Sequence, residues 1–203
     1  MKSIEHAHEP DDPRRREMLE HTTLAAGGLA LAATGIPFVA SLLPSERARA
    51  QGAPVEADAS ALGPGELATV EWRGKPVWLL RRTPEMLSGL EAIRGALTDP
   101  DSRVASQQPE YARNAGRSVR PDLFVVMSLC THLGCIPSYR PEPGSLQADW
   151  PGGFYCPCHG SKFDLAGRVY KGSPAPTNLV VPPHTFVSEE RLVIGRDREG
   201  EAR

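Results

Sequence analysis

The chain has 203 residues, room for one compact domain with appendages. A formal net charge of −2 gives no basic field to attract nucleic acid. With 19 glycines, 20 prolines and 6% aromatics, the composition argues against a helical bundle and for a loop-rich β fold.

Residues 1–13 are polar, carry acidic residues and two prolines, and read as disordered, with His6 and His8 solvated rather than acting as ligands. Arg14-Arg15-Arg16-Glu17-Met18-Leu19 resembles a twin-arginine export signal. As a plain basic flank, the same residues would keep residues 1–20 on the cytoplasmic side of a membrane. From His21 to Ser45 there is no Asp, Glu, Lys or Arg. Residues 24–43 alone would reach about 30 Å as a helix, the thickness of a bilayer's hydrocarbon core. Residues 21–43 therefore read as a transmembrane anchor, with Gly27, Gly28, Ala32 and Gly35 offering a small-residue face to a neighbouring helix. Ala48-Arg49-Ala50 resembles a cleavage site, so a removed signal peptide is the alternative. The length of the apolar segment favours retention. Residues 44–64 are rich in Ala, Pro, Gly and Ser without periodicity and read as a flexible tether.

The soluble domain is expected over residues 65–203. Residues 67–71 and 76–81 flank Trp72-Arg73-Gly74-Lys75, a hairpin pattern. Thr83-Pro84-Glu85 reads as a helix start: an N-cap, a proline at the first position and an acid in the first turn. Met86, Leu90, Ile93 and Leu97 then share one helical face as core contacts. Residues 98–121 are polar and irregular and read as a surface excursion. Its Arg103, Arg113, Arg117 and Arg120 would be solvated or face a partner. Residues 122–129 are an apolar run, a buried strand leading into a cysteine loop. Residues 136–152 read as loop, 153–155 as a short strand, 164–167 as a turn, and 168–171 as another strand. Residues 185–188 and 191–195 make a closing hairpin across Glu189-Glu190. Many short strands between turns predict a mainly β chain: an antiparallel sandwich with a small subdomain over about residues 128–177.

All four cysteines lie in two loops, Cys130-Thr131-His132-Leu133-Gly134-Cys135 and Cys156-Pro157-Cys158-His159-Gly160-Ser161. Each loop offers a Cys and a His at ligand spacing: Cys130 with His132, and Cys156 with His159. Two thiolates and two imidazoles suit a tetrahedral zinc. They equally suit a 2Fe–2S cluster with sulfur donors on one iron and nitrogen donors on the other. Gly134 and Gly160 let the backbone turn tightly beside sulfur.

C-T-H-L-G-C followed by C-P-C-H-G-S resembles the Rieske iron–sulfur proteins of bacterial quinol–cytochrome c oxidoreductases, the cytochrome bc complexes. The ligand set of Rieske centres is an established property of that class, not something these spacings derive. The resemblance implies one 2Fe–2S cluster with Cys130 and Cys156 on one iron and His132 and His159 on the other. It implies a disulfide between Cys135 and Cys158, hence an oxidising compartment. His159, or else His132, would bind quinol and take its proton. Leu133 would shield the cluster at a docking tip, and Ser161 would bond a bridging sulfide. Phe163 stands where the family often has a tyrosine that bonds a cysteine sulfur. Gly172-Ser173-Pro174-Ala175-Pro176 resembles the family's proline loop, with Ser173 as an insertion.

The implied function is one-electron, proton-coupled oxidation of quinol and delivery to a c-type cytochrome. The implied partners are cytochrome b, a c-type cytochrome, quinol and the membrane, within a dimeric complex and without nucleic acid. The implied location is the bacterial inner membrane, single-pass, with the cluster domain in the periplasm. Two alternatives are the Rieske small subunit of another exported oxidoreductase, such as an arsenite oxidase, and a structural zinc module. A soluble Rieske ferredoxin would lack both the extra cysteine pair and the N-terminal apolar segment.

Overall fold

The computed structural model describes residues 12–46 and 52–197. The chain divides into two units, Met1–Arg49 and Ala50–Arg203. The expectations for residues 1–11 and for the cleavage pattern at residues 48–50 fall on or beside residues outside those described.

The first unit is helix α1, Pro13–Ser41. Asp12 caps it by accepting the Arg14 N–H at 3.0 Å, and Pro13 sits where a missing N–H costs nothing. At 29 residues the helix is about 44 Å long, so it exceeds the predicted 21–43 span at its basic end. None of its residues is buried. Leu19, Leu24 and Leu29 are exposed on different sides, a distribution that suits lipid rather than a protein core. Pro37 lies within the helix. Hydroxyls of Thr22, Thr23 and Thr34 bond back to carbonyls of the preceding turn, which hides them from lipid.

Among the described residues, the second unit holds three antiparallel three-stranded sheets. Strands β2 (Leu67–Trp72) and β3 (Lys75–Arg81) form the predicted hairpin, and β4 (Leu123–Met127) pairs with β3. The connecting residues Arg73 and Gly74 both have positive φ, 55° and 68°. That turn matches the natural twist of paired strands. Helix α2 (Pro84–Ala92) follows β3, and the Thr83 hydroxyl accepts the Met86 N–H as the capping pattern predicted.

Strands β3 and β4 are buried on both faces, which explains their near-continuous apolar sequence. Val77, Leu79, Leu123 and Val125 point into one core with Trp72, Leu192 and Ile194. That core lies against the sheet of β1 (Val55–Asp58), β9 (Arg191–Ile194) and β8 (His184–Phe186). Trp78, Leu80, Phe124 and Val126 point the other way, into a core shared with Phe154, Phe163, Cys130 and Cys156. The third sheet, β5 (Ser138–Arg140), β6 (Gly153–Cys156) and β7 (Ser161–Phe163), supplies those last aromatics. Period-2 alternation along β3 and β4 thus joins a base to a cysteine-bearing subdomain.

Four expectations need correction. Residues 55–58 of the predicted tether form β1, in register from Val55 opposite Ile194 to Asp58 opposite Arg191. The alternation Val55-Glu56-Ala57-Asp58 was hidden by flanking Ala, Pro and Gly. The predicted strand at residues 168–171 is no regular strand. Val169 bridges Phe163 while Tyr170 bridges Leu97, so its hydrogen bonds divide between two neighbours. The predicted loop at residues 136–152 contains β5. The excursion at residues 98–121 is largely built into the unit. It carries 3-10 turns at Ala105–Gln107 and Glu110–Ala112, and Ser102, Gln108, Arg117 and Ser118 are buried. Of the arginines expected to be solvated there, Arg117 is fully buried and Arg120 pairs with Asp122 at 2.7 Å, while Arg103 and Arg113 are exposed or partly so.

Candidate metal centre

Strand β4 runs into the first cysteine loop, and β6 into the second. The second loop is the turn of the β6–β7 hairpin, with Cys156 opposite Ser161. The two loops share one backbone device. Gly134 donates its N–H to the Cys130 carbonyl at 2.8 Å, and Gly160 donates to the Cys156 carbonyl at 2.9 Å. Both glycines stand four residues after a cysteine, with φ of 80° and 82°. A Cβ on Gly134 would meet nothing within 4 Å, so the requirement there is conformational rather than steric. Cys130 also donates its N–H to the Cys135 carbonyl at 2.8 Å, closing the first loop on itself.

Cys135 and Cys158 form a disulfide that joins the loops. Cys130 and Cys156 are free and buried. The Sγ atoms of Cys135, Cys156 and Cys158 lie within 4.8 Å of one another. Two of those three sulfurs are already bonded to each other, so this trio is not a ligand set; it shows how closely the staple lies to the Cys156 thiol. Burial pushes the Cys156 thiol above its ordinary value, and the hydrogen bond with the Cys130 thiol pushes it further the same way. Paired thiols in an apolar setting ionise when a cation supplies the compensating charge.

The rings of His132 and His159 meet edge to face, with centroids 4.8 Å apart. His132 is half-buried and His159 exposed. His132 Nδ1 is sealed from solvent and has no hydrogen-bond partner. A buried nitrogen left in that state is costly, and a metal ion satisfies it. Two adjacent buried thiols and one inward-facing, unsatisfied imidazole nitrogen fit the mixed donor set that a Rieske-type cluster needs.

Three hydroxyls hold the segment from Gly172 to Thr177 against the two loops. Ser161, fully buried, accepts the Ala175 N–H at 3.0 Å. Ser173 accepts the Lys162 N–H at 3.1 Å, so the inserted serine clamps the segment to β7. Thr131 donates to the Thr177 carbonyl at 2.7 Å. Gly172 turns the chain with φ of 75°, Ala175 is buried, and Pro174 and Pro176 are exposed. Phe163 is fully buried opposite Phe154, which stacks on Trp78 at 5.2 Å. Leu133 is 72% exposed and Ile136 55%, on the loop whose His132 ring meets that of the exposed His159, so this loop presents apolar side chains at the surface.

The structure thus gathers Cys130, His132, Cys156 and His159 with the stapled pair, Ser161 and the proline segment. Sequence reasoning missed Thr131, the clamping role of Ser173, and Ile136. It also missed a set of buried arginines behind β7. Thr131 lay inside the quoted motif, and its hydroxyl beside a ligand pair was the available signal.

Comparison with known proteins agrees. A family model described as the Rieske [2Fe-2S] domain matches residues 54–183. Another, described as the "Ubiquitinol-cytochrome C reductase Fe-S subunit TAT signal", matches residues 5–45. The chain is 54% identical over 186 residues to the "Ubiquinol-cytochrome c reductase iron-sulfur subunit" of Allochromatium vinosum, covering 91% of this chain and 89% of that one. It is 43% identical over 185 residues to the subunit of the same description from Blastochloris viridis, covering 89% and 92%. A solved structure described as "Hyperthermophilic respiratory Complex III" aligns at 26% identity and TM-score 0.45, covering 86% of this chain and 98% of that one. The chain belongs to the Rieske iron–sulfur family, in the group of ubiquinol–cytochrome c reductase iron–sulfur subunits.

Proposed function

We propose that Cys130 and Cys156 hold one iron of the Rieske-type 2Fe–2S cluster as thiolates, and that His132 and His159 hold the other through one ring nitrogen each. The observation that carries this assignment is the sealed, partnerless Nδ1 of His132 beside two buried thiols. The chain is the electron-transfer subunit of a quinol–cytochrome c reductase, accepting electrons from quinol and passing them to a c-type cytochrome. It is a single-pass inner-membrane protein exported by the twin-arginine route, with the cluster unit in the periplasm. That export signal belongs to the reductase subunits and sets the arsenite-oxidase alternative aside.

When bound, the cluster supplies a one-electron acceptor whose potential is lifted toward about −150 to +300 mV by imidazole donors. The chain's own residues do the rest. His132 presents Nδ1 inward, which leaves its Nε2 for the outer side. His159 is exposed at the tip, and its outward ring nitrogen, once it has given up its own proton, would take the quinol hydroxyl proton. Leu133 and Ile136 exclude water around that contact. The disulfide fixes the separation of the two loops. The dimeric state of the complex follows from the family resemblance alone, and the mass of the detergent-solubilised complex tests it.

Hydrogen bonds to sulfur stabilise the electron-rich, reduced state and raise the potential. The Ser161 hydroxyl accepts from Ala175 and keeps its own proton to donate. Ser161→Ala is expected to lower the midpoint, and to leave the buried Ala175 N–H unpaired at a cost of about 1–3 kcal/mol. Phe163→Tyr is expected to raise it. Redox titration of both variants checks the pair, and unchanged midpoints would remove the tuning argument.

The assignment is tested by metal and sulfide analysis with electron paramagnetic resonance of the reduced protein. Iron, acid-labile sulfide and a signal of mixed sulfur and nitrogen ligation are expected. A colourless protein carrying zinc would overturn it.

A further inference from the structure

Three arginines but one carboxylate are sealed inside the second unit among the described residues: Arg82, Arg117, Arg168 and Asp164. Asp164 serves Arg168, accepting from its Nε at 2.7 Å, with Nη2 of the same guanidinium also 2.7 Å from that oxygen as an ion pair. Its other oxygen accepts the N–H groups of Ala166 and Arg168. Arg82 and Arg117 are held by neutral acceptors instead. Arg82 donates to the carbonyls of Pro121, Gly116 and Leu165 and to the Ser118 hydroxyl. Arg117 donates to the carbonyls of Ala166, Gly167 and Gln107 and to the Gln108 side chain, and its Nε has no partner. Asp164 attracts both guanidiniums most strongly, half-buried Asp122 adds to this at Arg82 and half-buried Asp99 at Arg117, and Arg168 repels both. Asp122 is itself engaged by Arg120 and Arg81, and Asp99 by the N–H groups of Arg103 and Val104. Burial lowers both guanidiniums to about 10, so they remain charged at neutral pH.

Sealing three guanidiniums with one carboxylate leaves two positive charges in excess, which is expensive, and an apolar isostere often serves packing as well or better. Two such charges in one small unit call for a use. All three buried arginines grip one turn, residues 164–167, which directly follows β7. The first residue of β7, Ser161, lies opposite Cys156. Leu165 and Ala166 share a core with Cys130 and Cys156, and Arg82 lies 4.9 Å over the ring of Phe124 in that same core. The turn that the arginines grip therefore packs into the same apolar core as the two thiols, a setting in which screening is weak.

We propose that Arg82 and Arg117 form a buried positive field that raises the reduction potential of the cluster. The proposal rests on the ligand assignment above. Reduction adds one electron, taken from quinol, and two fixed cations stabilise the added negative charge. The field offsets the hydroxyl missing at Phe163.

The test uses the full chain in its membrane complex. Arg82→Gln and Arg117→Gln remove the charge, whereas Arg82→Lys and Arg117→Lys keep it while losing the planar fork. Midpoints are read at pH 6 by electron paramagnetic resonance, and stability is read by urea unfolding. The Gln variants are expected to show a lower midpoint. The Lys variants are expected to keep the wild-type midpoint even where they unfold in less urea. Equal midpoints in Gln and Lys variants of both residues would overturn the proposal, as would loss of the cluster from both Gln variants, since each outcome reads as a purely structural role. Failure of the ligand assignment would appear separately, as the absence of the signal in the unmodified protein.

Discussion

Cys156→Ser abolishes the visible absorption and the reduced-state resonance signal, and quinol–cytochrome c reductase activity falls to background. A serine hydroxyl does not ionise to serve as an iron donor, and Cys130 alone cannot hold its half of the site. The fold is expected to survive, because the Cys135–Cys158 staple and the β6–β7 pairing do not depend on the Cys156 sulfur. The stapled pair behaves differently. Cys135→Ser releases a cross-link of sequence separation 23 and costs about 3 kcal/mol in chain-entropy terms, read by urea unfolding. Part of the cluster content is expected to remain. Loss of colour in Cys135→Ser with retention in Cys156→Ser would reverse the roles assigned to the two cysteine pairs.

Arg168→Met destabilises the second unit by about 3–5 kcal/mol, because it strands a fully buried carboxylate without its cation. The pair does more than cancel charge. Asp164 organises the turn by accepting two backbone N–H groups, and Arg168 reaches the Leu90 carbonyl at 2.6 Å and so ties α2 to that turn. Urea unfolding of Arg168→Met, Asp164→Asn and the double variant measures the coupling. The double variant is expected to be more stable than the sum of the single losses implies, since the stranded charge is gone. Strict additivity would mean that the two side chains act independently.

The legible parts of this protein carry local signals. Trp72-Arg73-Gly74-Lys75 announces its turn through Gly74, which takes positive φ without a Cβ clash, and Arg73 adopts positive φ beside it. Thr83-Pro84 announces a helix start through groups that satisfy or omit an N–H. The cysteine–histidine loops were legible for the same reason, since ligand spacing and the following glycine sit within six residues. The other features depend on partners far along the chain. Arg117 looked like surface charge because it lies in a polar run. Its burial is decided by the carbonyls of Ala166 and Gly167, about fifty residues away. Strand β1 exists because β9 offers an edge, and four residues are too few for alternation to stand out. Strand β7 has three residues, and its order comes from the hairpin that closes the second cysteine loop. Ser173 read as an interruption of the proline segment, whereas its hydroxyl attaches that segment to Lys162.

The most direct test is the midpoint potential of the full-length protein measured from pH 6 to pH 11. If His132 and His159 are ligands whose protonation follows the redox state, the midpoint is level at low pH and then falls with a slope of about 59 mV per pH unit for one proton per electron. A midpoint that stays level into strongly alkaline solution would contradict the account.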